Sequence, residues 1–409
     1  MKQHTSKAGR LGILATLFFI LLLTAGCHKK TPNPIPHSPT PVPTWTVTPT
    51  PTRQYTPKPS PTATATTLPT PTSNAVQNTP APSPLPPPTP TPTATPFPPG
   101  PRSKLGVFVG RNDPQLFELL RTGNLAVVKT TEYDPNFVSE IKAIDPDVFL
   151  VARLGEIPQV DLNNWDPIAE AHKFVQTLLP IATEPRRMAA IDCWEAYNEP
   201  VPANEAQMAS LAQFEAERVR LLAQAGIRSC IGNFSMGHPD LALWPAFFPA
   251  LQAAKENGGY LALHEYSRPY MWSDTNVPPA HNPAAAAEHE GWLTLRYRKV
   301  YREYLQPAGL DIPLVITETG IDGPPPDTNH GSGWQGFTDL WRSQGMVRNT
   351  DFGFYMEQLA WYDAELQKDD YVIGAAIFTL AGTAGWESYE IGGPWLEIFK
   401  QYLSVHPPH

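Results

Sequence analysis

Between residues 102 and 409, short apolar runs rich in β-branched residues alternate with longer segments of helical character. A strand followed by a helix, repeated along the chain, is the pattern of a parallel sheet. The apolar runs predict eight strands, at residues 105–109, 125–129, 148–152, 193–197, 228–233, 261–266, 314–318 and 372–378. Eight units of about 38 residues each predict an α/β fold of the (β/α)8 TIM barrel class.

Helix boundaries in the same region agree with this pattern. Three predicted helices begin at an aspartate, which can cap the first turn, followed by a proline: Asp113-Pro114, Asp134-Pro135 and Asp166-Pro167. Three others end at a glycine shortly before the next strand, at Gly226, Gly258 and Gly309. A doubly wound open sheet is the alternative, but residues 110–112 after the first strand lack the glycine-rich dinucleotide fingerprint.

The first 26 residues have the organisation of an export signal. Three basic residues precede an apolar run at 11–23, which is too short to span a bilayer comfortably. The run is followed by small residues and Cys27, a sequence that resembles the lipobox of bacterial lipoproteins. The resemblance implies lipidation of Cys27 and a membrane anchor that exposes the rest of the chain outside the cytoplasm, in the cell envelope. An ordinary cleaved signal, or an uncleaved anchor with Cys27 incidental, is the alternative.

A Thr/Pro-rich segment follows the signal. From residue 31 to 100, 24 of 70 residues are proline and 19 are threonine, so the segment lacks the apolar surface that would offset the entropy of ordering. Proline-rich chain favours polyproline II at about 3.1 Å per residue, which gives a reach on the order of 100 to 200 Å. We therefore predict a signal peptide of the lipoprotein type at 1–26, a disordered Thr/Pro-rich linker at 27–101 and a (β/α)8 catalytic domain at 102–409.

Charge is distributed as unevenly as proline. Residues 1–101 contain no acidic residue, and residues 102–409 contain all 39 acidic and 23 basic residues, a net charge of about −16. A surface this acidic repels phosphate, so nucleic acid is not expected as a partner. We expect the protein to be a monomer.

Cysteine and histidine spacing gives no sign of a metal site. The sequence has no C-x-x-C and no H-E-x-x-H motif, so neither a metal nor a cofactor is expected. Cys193 and Cys230 fall on the fourth and fifth predicted strands, where a disulfide between neighbouring parallel strands is geometrically awkward. We therefore expect two buried thiols that pack as small hydrophobic groups.

Two glutamates stand at the ends of predicted strands. Glu199 closes the segment Cys193-Trp194-Glu195-Ala196-Tyr197-Asn198-Glu199-Pro200, and Glu318 closes the seventh strand. Strand ends meet at the mouth of a barrel, so the two carboxylates should face one another. Hydrolysis of a glycosidic bond with retained configuration needs such a pair about 5 to 5.5 Å apart, one carboxyl as acid and the other as nucleophile.

With these residues in place, the domain resembles the clan A glycoside hydrolases, (β/α)8 enzymes that include families 5, 10, 39 and 53. The resemblance covers the architecture of 102–409 and short stretches of sequence. It implies that Glu199 is the acid/base, that Asn198 hydrogen-bonds the sugar 2-hydroxyl and that Glu318 is the nucleophile.

The sixth strand and the loop after the eighth extend the resemblance. The strand ends in His264-Glu265-Tyr266, which implies that the Tyr266 hydroxyl holds the nucleophile and that His264 lines the sugar subsite. Trp386 is the candidate for the tryptophan that floors this subsite. Other aromatic residues predicted near the mouth are Tyr270, Trp272, Trp334, Phe337 and Tyr389, and such rings suit the C–H faces of sugars.

One position departs from the clan pattern. Several members carry an arginine near the end of strand two that keeps the nucleophile ionised, whereas this strand ends in Lys129. Lys129, or Arg153 after strand three, is the candidate substitute, although a lysine does not reproduce a bidentate guanidinium. We also expect the charge of Glu318 to raise the pKa of Glu199, so that one carboxyl is protonated while the other is ionised.

These observations predict a retaining β-glycoside hydrolase that acts on an oligo- or polysaccharide by double displacement. Two other hypotheses remain open. The first is a carbohydrate-binding or scaffold protein on a catalytically decayed barrel, which could lose a carboxylate. The second is a glycan-processing transglycosylase with the same carboxylate pair, which would pass the sugar to an acceptor other than water.

Overall fold

The computed structural model describes residues 97, 99–155, 157–158, 160–275, 290–325 and 331–406. The predicted signal peptide with Cys27, and nearly all of the predicted linker, lie outside these residues. Within the described part of the chain, no helix has the length and apolar character needed to cross a membrane. Phe97, which belongs to the predicted linker, packs its ring edge-on against Tyr402 with centroids 5.3 Å apart.

The described chain folds as the predicted (β/α)8 barrel of eight parallel strands. Their bounds are β1 Leu105–Val109, β2 Val127–Thr130, β3 Phe149–Ala152, β4 Cys193–Trp194, β5 Cys230–Phe234, β6 Tyr260–Ser267, β7 Leu314–Ile321 and β8 Val372–Ala381. The strands neighbour one another in the order β4-β3-β2-β1-β8-β7-β6-β5. The ring is nearly closed, because β4 meets β5 through a single bridge between Trp194 and Ser229.

Helices follow the strands around the outside of the barrel. They are α1 Pro114–Leu120, α2 Pro135–Ile144, α3 Pro167–Ala182, α4 Pro185–Ala190, α5 Glu205–Gln224, α6 Trp244–Glu256, α7 Arg296–Val300, α8 Gln306–Ala308, α9 Thr338–Ser343, α10 Asp351–Leu366 and α11 Leu396–Ser404. The predicted caps are confirmed, since the side chains of Asp113, Asp134 and Asp166 each accept a hydrogen bond from the first turn of their helix. Gly226, Gly258 and Gly309 all have positive φ, the left-handed conformation that favours glycine.

Two apolar layers follow from the alternation of side chains along each strand. One set of positions packs against the helices in the larger core, and the other fills the barrel with small groups such as Val151, Ala262, Val315 and Ala376. A third, smaller cluster at the mouth is aromatic and contains Phe108, Tyr266, Phe378 and Tyr389. The barrel end at which the strands have their carboxyl termini therefore carries aromatic rings and polar groups, and the barrel interior below it is apolar.

The prediction of two free thiols was wrong, because Cys193 and Cys230 form a disulfide. Both side chains are fully buried, as expected, and they face the barrel interior. Their Cα atoms are 5.7 Å apart, within the usual range for a disulfide. The expectation of free thiols assumes that the fourth and fifth strands pair through a regular parallel ladder, across which a disulfide is geometrically awkward. In the structure β4 is two residues long, and the bond crosses the one seam where that ladder is missing.

The disulfide should stabilise the domain. It closes a loop with a sequence separation of 37, so the Cys193→Ser/Cys230→Ser double variant should lose about 2 to 4 kcal/mol in its free energy of unfolding. Urea denaturation of the purified protein, with and without reductant, measures this change. If oxidised and reduced protein unfold at the same urea concentration, or mass spectrometry finds both thiols free, the assignment is wrong.

Candidate active site

A cleft of about 830 Å³ opens at the carboxyl ends of the strands. Its walls come from β1 to β4 and β6 to β8, and from the segments that follow them. The lining residues are Phe108, Gly110, Thr131, Glu132, Tyr133, Asp134, Arg153, Gly155, Arg187, Asn198, Glu199, Tyr266, Glu318, Asp322, Phe378, Thr383, Trp386 and Tyr389. Five of the six predicted barrel site residues are among them, and the sixth, His264, lies behind the wall.

Glu199 reaches the cleft because β4 ends early and the following chain turns inward. The residue adopts a left-handed φ of 46°, which few residues other than glycine adopt. Its backbone N–H donates to the Asn233 carbonyl at 3.1 Å, and the Asn233 amide donates to the Tyr197 carbonyl at 3.1 Å. These bonds fix the segment to the end of β5. The neighbouring Asn198 lines the cleft, and its buried Oδ1 has no hydrogen-bond partner among the described residues.

Glu318 lies within β7 and faces the cleft with 8% of its side chain exposed. The Tyr266 hydroxyl donates to Oε2 at 2.9 Å, and an Arg153 guanidinium nitrogen lies 3.7 Å from Oε1. A hydroxyl donor and a cation therefore both lie against this carboxylate. The predicted contact between Tyr266 and Glu318 is present.

His264 lies beneath the two glutamates and does not line the cleft. Its side chain has no exposed surface, and Nδ1 is 2.8 Å from Glu199 Oε1 and 3.5 Å from Glu318 Oε2. Along β6, His264 and Tyr266 face the barrel interior, whereas Glu265 between them accepts bonds from Tyr297 N–H and the Tyr362 hydroxyl in the helical layer. The alternation of strand side chains explains why the histidine and the tyrosine both reach the pair.

The two carboxyl groups are close together. One oxygen of Glu199, one nitrogen of His264 and one oxygen of Glu318 all lie within 4.8 Å of one another. Such a trio has the atoms to hold a cation, but the imidazole already contacts Glu199 and the Tyr266 hydroxyl already donates to Glu318, with the Arg153 guanidinium 3.7 Å from the second carboxylate. A metal ion would have to displace them, so the donor set fits an ion-free carboxylate pair better.

Of the two basic residues considered as the strand-two substitute, Arg153 lies beside Glu318. The Lys129 ammonium instead pairs with Glu195, and both side chains are fully buried. Burial lowers the pKa of Lys129. Burial would raise the pKa of Glu195, but the charge of Lys129, together with the charges of Arg153 and His264, outweighs burial and lowers the pKa. The buried pair fills the barrel below the mouth, next to Arg153.

The pKa of Glu199 differs from our expectation. Burial would raise it, but the His264 hydrogen bond and charge, together with a hydrogen bond from Ser235, outweigh burial and hold the pKa below its usual value. The sequence indicates the negative charge of Glu318 but not the donors that lie beneath the pair. Glu199 is therefore mainly ionised at neutral pH, and its protonated fraction grows as the pH falls.

Aromatic residues line the cleft, but only some of those predicted. Trp386 is 43% exposed and packs edge-on against Phe378, with centroids 5.2 Å apart. Tyr389 lines the same wall. Of the others, Trp334 and Phe337 are buried in the core, and Tyr270 and Trp272 lie outside the cleft lining. The prediction placed them by loop position alone, which does not tell an inward ring from one that packs on a helix.

Several cleft residues were missed in the sequence. Phe108 and Phe378 end in the mouth because β1 and β8 place them on the inward face, with their rings 4.8 Å apart. Asp322 directly follows β7, and its carboxylate accepts a hydrogen bond from the Tyr389 hydroxyl. The strand alternation could have identified the two phenylalanines. No comparable signal marks Asp322.

The shifted pKa of Glu199 gives a pH prediction. If Glu199 must be protonated to release an unactivated leaving group, kcat/KM should fall as the pH rises above its lowered pKa, about tenfold per pH unit. Burial raises the pKa of Glu199, and the His264 hydrogen bond and charge are the main influences that lower it. The His264→Ala variant loses these influences, so the pKa of Glu199 should rise and the basic limb should move to higher pH. The pH profiles of kcat/KM for the two proteins measure the change.

Tyr266→Phe is the matched comparison. It removes the hydroxyl donor from Glu318, so the rate should fall by roughly 10- to 1000-fold. The basic limb should stay in place. A His264→Ala profile with an unmoved basic limb would contradict the role given to the Glu199 contact.

Comparisons with known proteins give similarity to glycoside hydrolase structures at low identity. No protein-family model and no curated protein matches the chain. A GH128 subgroup II endo-β-1,3-glucanase from Sorangium cellulosum is 15% identical with a TM-score of 0.41, over 75% of this chain and 99% of that one. A β-D-glucuronidase from Dictyoglomus thermophilum is 12% identical with a TM-score of 0.45, over 75% and 51%. A GH2 β-galacturonidase from Eisenbergiella tayi is 11% identical with a TM-score of 0.45, over 76% and 52%.

Proposed function

We propose that this protein is a retaining β-glycoside hydrolase, with Glu318 as the nucleophile and Glu199 as the acid/base. The observation that carries the proposal is the carboxylate pair: one oxygen of Glu199, which follows β4, lies within 4.8 Å of one oxygen of Glu318 in β7. Retaining enzymes place their carboxyl groups about 5 to 5.5 Å apart, whereas inverting enzymes leave about 6.5 to 9.5 Å for a water molecule. The separation therefore supports double displacement.

The two carboxyl groups have different surroundings, which supports different roles. Glu318 is nearly buried, and Tyr266 and Arg153 stabilise its negative charge. It attacks the anomeric carbon. Glu199 is more exposed, with 32% of its side chain accessible, and it delivers a proton to the departing oxygen. Asn198, with its buried Oδ1 free of protein partners, binds a sugar hydroxyl next to the reacting carbon.

The second half-reaction uses the same residues. When the glycosyl enzyme forms, Glu318 becomes an ester and loses its charge, and Glu199 takes a proton from the incoming water. The lowered pKa of Glu199 suits this base role. The acid role, by contrast, limits the first half-reaction as the pH rises toward neutrality.

The cleft suits a carbohydrate. Trp386 offers an accessible ring beside Phe378 and Tyr389, and aromatic faces bury the C–H surfaces of sugars. Polar groups line the other walls. A cleft of about 830 Å³ is large enough for more than one sugar ring.

The direct test is a panel of 4-nitrophenyl β-glycosides together with plant and bacterial polysaccharides, followed by product analysis. We expect release of free sugar or oligosaccharide with retained anomeric configuration. Transfer to sugar acceptors with little hydrolysis would favour the transglycosylase hypothesis. Binding without turnover would favour the decayed barrel. Chelator treatment should leave the activity unchanged, because no step of the proposal uses a metal.

We also propose that Cys27 anchors the enzyme to the outer face of a membrane, with the Thr/Pro-rich segment as a tether. The disulfide of the barrel supports export, since structural disulfides persist in oxidising compartments.

Cys27→Ala removes the proposed lipid attachment site. The variant should move from the membrane fraction to the soluble fraction, because a lipid chain supplies about 0.8 kcal/mol of binding per buried CH₂ group. Its specific activity should equal that of the parent, since Cys27 precedes the barrel. Fractionation followed by immunoblotting measures the distribution. An unchanged membrane fraction would contradict lipidation.

A further inference from the structure

The charged groups in the cleft wall are mostly acidic. Among the described lining residues, Glu132, Asp134 and Asp322 add three carboxylates to the proposed catalytic pair. The basic side chains in the same lining are Arg153 and Arg187. A substrate therefore enters a site with an excess of negative charge.

The two arginines differ in how they contact the protein. Arg153 Nη1 lies 3.7 Å from Glu318 Oε1, and this buried nitrogen has no hydrogen-bond partner among the described residues. Arg187 donates to the backbone carbonyls of Tyr133 and Ile181, at 2.6 and 3.4 Å, and its guanidinium lies over the Tyr133 ring. The charge of Arg153 therefore faces the Glu318 carboxylate, and Arg187 is bonded to backbone carbonyls.

The three additional carboxylates differ in the hydrogen bonds that they accept from the protein. Asp134 caps α2, and Glu132 accepts from the Asp134 N–H at 2.9 Å, so both are partly used by their own loop. Asp322 sits on the wall just past the strand that carries Glu318. Its position is fixed on two sides, because its N–H donates to the Ser267 carbonyl at 3.3 Å and its carboxylate accepts from the Tyr389 hydroxyl.

Asp322 and the proposed acid/base interact electrostatically across the cleft. Burial raises the pKa of Asp322, and the charge of Glu199 raises it further. The Tyr389 hydrogen bond and, to a smaller extent, the charge of Arg268 oppose this rise in pKa. Arg268 donates to the Pro324 carbonyl and does not line the cleft. A carboxylate brought in by a substrate would meet the fields of both acids, whereas a sugar hydroxyl can donate a charge-assisted hydrogen bond to either one.

We infer that the cleft takes a neutral glycan and discriminates against uronic acids, and that Asp322 is a specificity-determining residue for this choice. The inference rests on the proposed hydrolase function and adds the substrate class. A hexose and its uronic acid differ only at C6, where a hydroxymethyl group replaces a carboxylate. The acidic wall accepts the first and repels the second.

The test compares neutral and acidic partners of the same sugar. The probes are the 4-nitrophenyl β-glycosides of glucose and galactose with the matching uronides, and neutral polysaccharides with their C6-oxidised forms. We expect kcat/KM for the best neutral substrate to exceed that of its acidic partner by at least about 10-fold. In Asp322→Asn this ratio should shrink by about 10-fold, because the amide keeps the shape and loses the charge.

Asp311→Asn is the matched control. Asp311 is exposed and precedes β7, at the opposite end of the strand from Asp322. The variant changes the net charge by the same amount and should leave the ratio unaltered. If Asp322→Asn does not fold, Glu132→Gln neutralises another cleft carboxylate without touching β7, and it should also shrink the ratio.

The outcomes separate the two proposals. Preference for the acidic partner, or a ratio that neither cleft variant changes, overturns the inference while hydrolysis stands. Absence of hydrolysis with every neutral and acidic probe overturns the proposed function and the inference with it.

Discussion

Glu318→Gln is expected to lower kcat/KM by at least about 10,000-fold. The amide has nearly the same shape and can still accept the Tyr266 hydroxyl hydrogen bond, so the fold should be kept. It cannot form the glycosyl ester, because a neutral amide is a poor nucleophile. The loss should appear with every leaving group, since attack at the anomeric carbon precedes all later steps.

Glu387→Gln is the control for this variant. Glu387 is an exposed glutamate next to Trp386, near the mouth but absent from the cleft lining. Its variant should keep activity within about twofold, as expected for an exposed side chain outside the chemistry. Near-normal hydrolysis by Glu318→Gln, with its melting temperature unchanged, would remove Glu318 from the mechanism.

Glu199→Ala is the second large effect, and it should depend on the substrate. With an unactivated leaving group, the rate should fall by about 100- to 10,000-fold because no acid remains to protonate the departing oxygen. A dinitrophenyl glycoside needs no such proton. It should form the glycosyl enzyme at a near-normal rate and then stall, visible as a burst of dinitrophenolate followed by slow turnover.

Azide should restore the second step of Glu199→Ala, because it attacks without the help of a base. The product should be a glycosyl azide with the same anomeric configuration as the substrate, as two displacements at one carbon require. A product of inverted configuration would place Glu199 in the nucleophile's position and reverse the two assignments. The parent enzyme, which keeps its base, should show no comparable rescue.

The ends of the strands can be predicted from two local features of the sequence, the apolar runs and the alternation of side chains. Apolar runs locate β6 and β7 to within three residues of their ends, and the alternation of side chains then selects His264 and Tyr266 as inward-facing. Glu318 has the parity of Leu314 and Ile316, which pack toward the helices, and a register shift in β7 turns it into the cleft. The aspartate-proline pairs located helix starts for the same reason, since capping depends on neighbours in sequence. The fold and the inward-facing residues of β6 follow from such local rules.

The features that were missed depend on contacts between distant segments. The disulfide needed the knowledge that β4 is two residues long and that the barrel seam lies beside it. The lowered pKa of Glu199 depends on His264, 65 positions away in sequence. Whether Lys129 or Arg153 lies beside Glu318 depends on the buried Glu195, which forms an ion pair with Lys129. Sequence spacing does not encode these distances.

The central claim is that Glu318 forms a covalent bond to the sugar, and trapping that intermediate tests it most directly. A 2-deoxy-2-fluoro β-glycoside of the preferred sugar, with a dinitrophenolate leaving group, slows both displacements while the leaving group keeps the first one accessible. Peptide mass spectrometry should then find one fluorosugar per chain, on Glu318. A label on Glu199, Glu195, Glu265 or Glu387, or no label while dinitrophenolate is released in a single turnover, would contradict the assignment.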